Sequence, residues 1–182
     1  MTTMLELSAC YAIGVVGEVE PELLSRPTPC AGWDLRMLLD HANESLAAMQ
    51  EGMTGGRVAL IPPDLLPAAD PALVFRDRAS SLLCASDDPA CPASIAIADR
   101  SVPVSVMTAM ASIEIAMHAW DVSQACGQRL PVPPSLAADL LELCVLLVPR
   151  AGRYPLFGPP VPVPGTASPS DRLAAFLGRA FS

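Results

Sequence analysis

The stretch from Ser101 to Ala119 constrains this chain more than any other segment. It is as long as a membrane span needs to be, about 20 residues, and apart from Glu114 and His118 it carries no ionisable side chain. A carboxylate inside a lone apolar span is costly, so the stretch reads instead as a helix buried among other helices. Glu114 and His118 lie four residues apart and therefore project from one face of that helix. An ionised carboxylate in an apolar wall needs a partner.

The chain has the means to build such a bundle. Its 182 residues suit one domain, spanning 1–182, with a core that needs no staples. Apolar residues make up 52% and charged ones 16%, which argues against disorder. The net charge is −8 and all 11 basic residues are arginines that form no cluster, so nucleic acid is not an expected partner. Met1 to Glu20 carries Glu6 and no basic residue, unlike a secretory signal. A soluble, cytoplasmic protein with no membrane partner is expected. Cys10, Cys30, Cys84, Cys91, Cys126 and Cys144 are scattered without a Cys-x-x-Cys pair, which leaves no support for a zinc ribbon or a thioredoxin-type motif. They read as small buried hydrophobes. Cys30 stands out because it sits in a turn just before a helix.

Punctuation divides the chain into helices. The pattern predicts a first helix over about Thr3 to Leu24, weakened by Gly14 and Gly17. Arg26 to Trp33 is a turn-rich break, and Asp34 caps a second helix running to about Glu51 with Leu35, Leu38, Leu39, Ala42, Leu46 and Met49 as its apolar stripe. Gly52 to Ala69 reads as loop. Asp70 and Pro71 start a third helix that reaches about Leu83. Ser94 to Ala98 and Ser101 to Val104 could be two short extended pieces, and a fourth helix follows over about Ser105 to Cys126, stopped by Gly127. A fifth covers Pro134 to about Val148. Arg150 to Ala167 holds five prolines and three glycines, too many for regular structure. Ser168 to Asp171 then caps a short final helix ending at Gly178.

The chemistry concentrates in few residues, since the chain has only two histidines. At about 100° per residue, the face bearing Glu114 and His118 also bears Met107, Met110, Ala111, Met117 and Asp121. The three methionines and Ala111 are candidates for substrate contact, or equally plain core. His41 lies beside Leu38 at the edge of the second helix's stripe, and from an antiparallel neighbour it can reach the same point. Two imidazoles and a carboxylate make a three-ligand metal site whose fourth position stays open for water or substrate. Zinc suits this set, and nickel, ferrous iron or manganese can bind it too. Asp121 could accept an imidazole N–H or serve as an alternative ligand. The same spacing also fits a helix-surface Glu/His pair with His41 as a solvated flank residue. Neither a Gly-rich phosphate loop nor a nucleophile-elbow motif occurs. Trp33 and Trp120 read as packing residues.

The run Pro27-Thr-Pro-Cys-Ala-Gly-Trp-Asp-Leu-Arg-Met-Leu-Leu-Asp-His41 resembles the N-terminal signature of the DinB-like and mycothiol-dependent maleylpyruvate isomerase superfamily. Glu114-Ile-Ala-Met-His-Ala-Trp-Asp-Val122 is similar to its second metal-binding signature. The tail, Phe157 to Pro164 with Ser168 to Leu173 and Leu177-Gly-Arg179, resembles the ending of its actinobacterial metal-binding branch. The resemblance implies a mainly all-α fold, a DinB-like four-helix bundle with extra short helices and a proline-rich C-terminal arm. It places the ligand positions on His41, Glu114 and His118. It also implies a small-molecule substrate, isomerase or transferase chemistry, and a low-molecular-weight thiol such as mycothiol as cosubstrate. The isomerase carries a further C-terminal domain that this chain is expected to lack, so its own reaction does not transfer. A cyclase or other tailoring enzyme of secondary metabolism would use the same metal as a Lewis acid. A non-catalytic metal or ligand binder, and a structural bundle with an empty ancestral site, are the rival classes. DinB-like bundles often pair, which makes a homodimer possible.

Overall fold

The computed structural model describes residues 2–59, 68–149, 151–153 and 157–180. Among these it holds six helices and one small three-stranded sheet. Parts of the expected 52–69 loop and of the proline-rich arm, namely 60–67, 150 and 154–156, lie outside the described residues.

Helix α1 (Met4–Val16) opens on a capping box, in which Thr3 accepts from Glu6 N while the Glu6 carboxylate accepts from Thr3 N. It stops well short of Leu24. Pro21 has no N–H to continue a helix and forces Glu20 into an extended conformation (ψ 149°), so only a short 3-10 turn over Pro21–Leu23 follows. Helix α2 (Leu35–Gly55) starts where Asp34 caps Met37 N at 2.8 Å and ends at Gly56, which adopts φ +69°. It outruns its expected end because Gly52 is not a breaker. A Cβ there would fall 2.9 Å from Ile95 Cγ2 and 3.1 Å from Val58 Cγ2, so the missing side chain lets the sheet lie directly on the helix.

That sheet contains a strand the sequence did not announce, β1 (Arg57–Val58), parallel to β2 (Ser94–Ile97). The two anticipated extended pieces are β2 and β3 (Arg100–Pro103), an antiparallel hairpin turning at Ala98 with φ +54°. Helix α3 (Pro71–Asp87) is capped by Asp70 and runs one turn beyond its expected end. Helix α4 (Val104–Ala125) ends before Gly127 at φ +75°. Helix α5 (Pro134–Leu147) and α6 (Pro169–Phe176) complete the set, with Ser168 capping α6.

Helices α1 to α4 form a closed ring of neighbours, α1 against α4 and α3, α2 against α3 and α4. Leu35, Leu38, Leu39 and Leu46 of α2 meet Phe75 and Leu82 of α3 in the core between them, all fully buried. Each such leucine contributes about 1.5–3 kcal/mol relative to exposure. The other side of α4, through Ile113, Ala116, Met117 and Trp120, packs in a second cluster with Leu136, Leu140 and Cys144 of α5 and Leu173 of α6. Two packed faces explain why α4 is apolar nearly all round. Among the described residues no helix is long and apolar enough to cross a membrane.

Candidate metal centre

The site begins in the turn before α2. Thr28 Oγ1 accepts from Cys30 N (3.2 Å) and donates to Trp33 O (3.0 Å), and Gly32 takes φ +82°, a conformation L side chains rarely adopt. This turn places Trp33 edge-on to His41, ring centroids 4.8 Å apart, two turns into the helix it precedes. From the neighbouring α4, Glu114 presents Oε1 at 3.5 Å from His41 Nε2 and 3.1 Å from His118 Nε2. The two imidazole rings lie 5.4 Å apart and almost perpendicular. The structure thus brings together His41, Glu114 and His118, with one donor atom from each inside a 4.8 Å cluster.

These distances suit a small divalent cation. Around tetrahedral zinc, with bonds of about 2.0–2.1 Å, ligand atoms sit roughly 3.3 Å from one another, and the two Glu114 contacts bracket that value. Exposure is graded across the trio: the His41 side chain is 41% exposed, Glu114 26% and His118 9%.

Behind His118 lies a second layer of charge. Its Nδ1 approaches Asp121 Oδ2 at 3.3 Å, close but not aligned as a hydrogen bond. Asp121 is fully buried and accepts from Arg179 through both oxygens, Nη2 to Oδ2 at 2.8 Å and Nε to Oδ1 at 3.3 Å. The Cys30 thiol donates toward the same Oδ2 at 3.5 Å. Burial alone would push both carboxylates up. The charge and hydrogen bond of His118, with the His41 imidazole close by, instead hold Glu114 well below the usual carboxylate range, and Arg179 holds Asp121 down. Burial would likewise push His118 down, but Glu114, Asp121 and Cys30 raise it well above the ordinary imidazole value. Without a metal, the two flanking carboxylates favour the protonated form of His118. A cation would take the place of the proton on Nε2.

No family model matches the chain, and no solved structure matches it. The uncharacterized proteins Rv0738 and MT0763 of Mycobacterium tuberculosis, from strains H37Rv and CDC 1551, are each 30% identical to it over 174 residues, 91% of this chain and 90% of theirs. The chain belongs to their family. Both relatives are named as uncharacterized, so the match establishes kinship and no activity.

The single methionine-rich wall expected along α4 is divided in the structure. Met107 and Ala111 pack in the α1–α4 core, Met117 in the α5–α6 cluster, and Met110 is 47% exposed. Trp33 packs, half-buried, against the first core cluster as expected, and also lies edge-on to His41. Arg179 escaped sequence reasoning as a site residue, although a buried carboxylate at position 121 calls for a cation somewhere in the chain. A cleft of about 230 Å³, lined among others by Pro29, Trp120, Arg129 and Ala180, has none of His41, Glu114 or His118 in its wall.

Proposed function

We propose that the chain is a metal-dependent enzyme acting on a small organic metabolite, a single DinB-like domain over 1–182 with a four-helix bundle at its centre. The observation that carries this reading is the convergence of His41 from α2 with Glu114 and His118 from α4 at zinc-like spacing. The DinB-like assignment draws on the two signatures and on the closed ring of α1 to α4. When bound, zinc, or nickel or ferrous iron in its place, supplies a Lewis acid with a coordination position left for a substrate atom. Glu114 contributes the negative charge of the site, and Trp33 limits the rotation of His41. A structural zinc site is closed by four protein ligands. Among the described residues this one has three and is open on the His41 side, which favours chemistry over a purely structural ion.

Isomerisation or group transfer with a low-molecular-weight thiol of the mycothiol type is the reaction class we favour, on the strength of the resemblance. Met110, one turn before Glu114 and exposed, gives an apolar contact at the approach to the site. Six free cysteines fit a reducing, cytoplasmic setting.

Elemental analysis of the purified protein beside His41→Ala and His118→Ala, with folding checked by circular dichroism, tests the metal. About one zinc, nickel or iron per wild-type chain, lost from folded variants, is the expected result. No metal in the wild type after reconstitution would leave both histidines with packing roles only. Turnover of thiol adducts by the metal-loaded protein then separates an enzyme from a binder.

A further inference from the structure

Arg179 lies on neither α2 nor α4, the two helices that carry the candidate ligands. It follows α6, 58 residues beyond Asp121 in the chain, and its position is set by the way the C-terminal segment is anchored. Gly178 adopts φ +86° and lies against Gly158 so closely that a Cβ would sit 2.7 Å from Gly158 Cα. Val161 N donates to Ala175 O at 2.9 Å, and Arg153 Nη2 donates to Phe176 O at 2.5 Å. Arg179 Nη1 donates to Leu177 O at 3.1 Å, which leaves Nε and Nη2 as a fork on Asp121.

We propose that Asp121 and Arg179 are positioning residues for His118, so that docking of the C-terminal segment sets the metal affinity of the site. The inference rests on the metal reading above. A ligand imidazole keeps one orientation only if its second nitrogen is held, and loss of such a partner typically weakens metal binding about 10–100-fold. Asp121 Oδ2, 3.3 Å from Nδ1, is the group placed to be that partner once the ring turns to align with it. A buried carboxylate needs a compensating cation, and the two-point contact of Arg179 fixes both its oxygens. Cys30 adds a third contact from the turn before α2. Cys30, His118 and Asp121 also place donor atoms within 4.8 Å of one another. A second cation there would face the guanidinium that already occupies Asp121, so support of His118 is the better use of this cluster.

Coupling of this kind is reciprocal: if docking of the segment strengthens metal binding, metal must strengthen docking. The experiment has two arms on the full chain. Zinc affinity is measured by chelator competition for wild type, Arg179→Gln, Arg179→Lys and Asp121→Asn, each checked by circular dichroism. Amide hydrogen exchange of residues 157–180 is followed in wild type with and without zinc. Arg179→Gln and Asp121→Asn are expected to bind zinc about 10–100-fold more weakly, with Arg179→Lys in between because it keeps the charge and loses the fork. Zinc is expected to slow exchange across 157–180. Equal affinity in all folded variants would overturn the positioning role and leave the metal site standing. Failure of wild type to bind zinc would overturn both. Should the variants not fold, unchanged exchange in zinc-loaded wild type would by itself overturn the coupling.

Discussion

Glu114 and Asp121 are two carboxylates on one face of one helix, two turns apart, and they have opposite surroundings. Asp121 is sealed from solvent and gripped by an arginine. Glu114 is a quarter exposed, and its ion-pair partners among the described residues are imidazoles. Burial pushes both up, and neighbouring positive charge pulls both down to the ionised form. The cations differ in kind. A guanidinium keeps its charge at every accessible pH, so Asp121 is permanently neutralised and serves the architecture. An imidazolium can surrender its proton to a metal, so Glu114 remains free to change partner. Two carboxylates in one sequence stretch thus divide into a fixture and a ligand according to what faces them.

The largest effect that could break this distinction is Asp121→Ala. It strands Arg179 in a buried position, and removal of one partner of such a pair costs about 3–5 kcal/mol, to be read from urea unfolding of the metal-free protein. A loss below about 1 kcal/mol would place Asp121 in the class of surface pairs. Next comes Gly178→Ala, which forces a side chain into a positive-φ position against the Gly158 backbone. It is expected to cost about 1–3 kcal/mol in thermal unfolding, whereas Gly165→Ala, with open space around it, should change little. Asp34→Ala removes the N-cap of the helix that carries His41 and should cost about 1 kcal/mol, leaving zinc affinity in the folded fraction unchanged. The smallest change in stability is expected for Glu114→Gln. Unfolding of the metal-free protein should shift by no more than about 1 kcal/mol, while zinc binding measured by chelator competition falls at least about 100-fold. A large loss of stability with metal binding intact would reverse the roles assigned to the two carboxylates.

Much of the helical frame was legible in advance because its signals are local. Asp34, Asp70 and Ser168 cap the helices that follow them, and Gly127 and Gly178 take positive φ just past helices α4 and α6. The overlong first helix came from passing over a local signal, Pro21, and the other misreadings from a local signal judged without its neighbours. Gly52 looks like a helix breaker until Ile95 arrives 43 residues later in the chain and occupies its missing side chain's space. Strand β1 is too short to show a period, and it exists because β2 offers it an edge. The methionines of α4 share a face by angle, yet two different clusters divide them.

His41, Glu114, His118 and Asp121 could be nominated from sequence because residue chemistry and helical spacing are properties of the chain itself. That α2 turns the Leu38 side, with His41 at its edge, toward the bundle is written in its apolar stripe, whereas α4 is apolar on two faces and leaves its partner to the fold. Which carboxylate keeps a permanent cation is not written there either. Arg179 reaches Asp121 only because two glycines let the C-terminal segment cross itself at backbone contact, and so close an approach between residues 20 apart leaves no period or cap in the sequence to be read. The ligand set is local chemistry. The support of that set is tertiary, since a buried charge is neutralised by whatever the fold brings beside it.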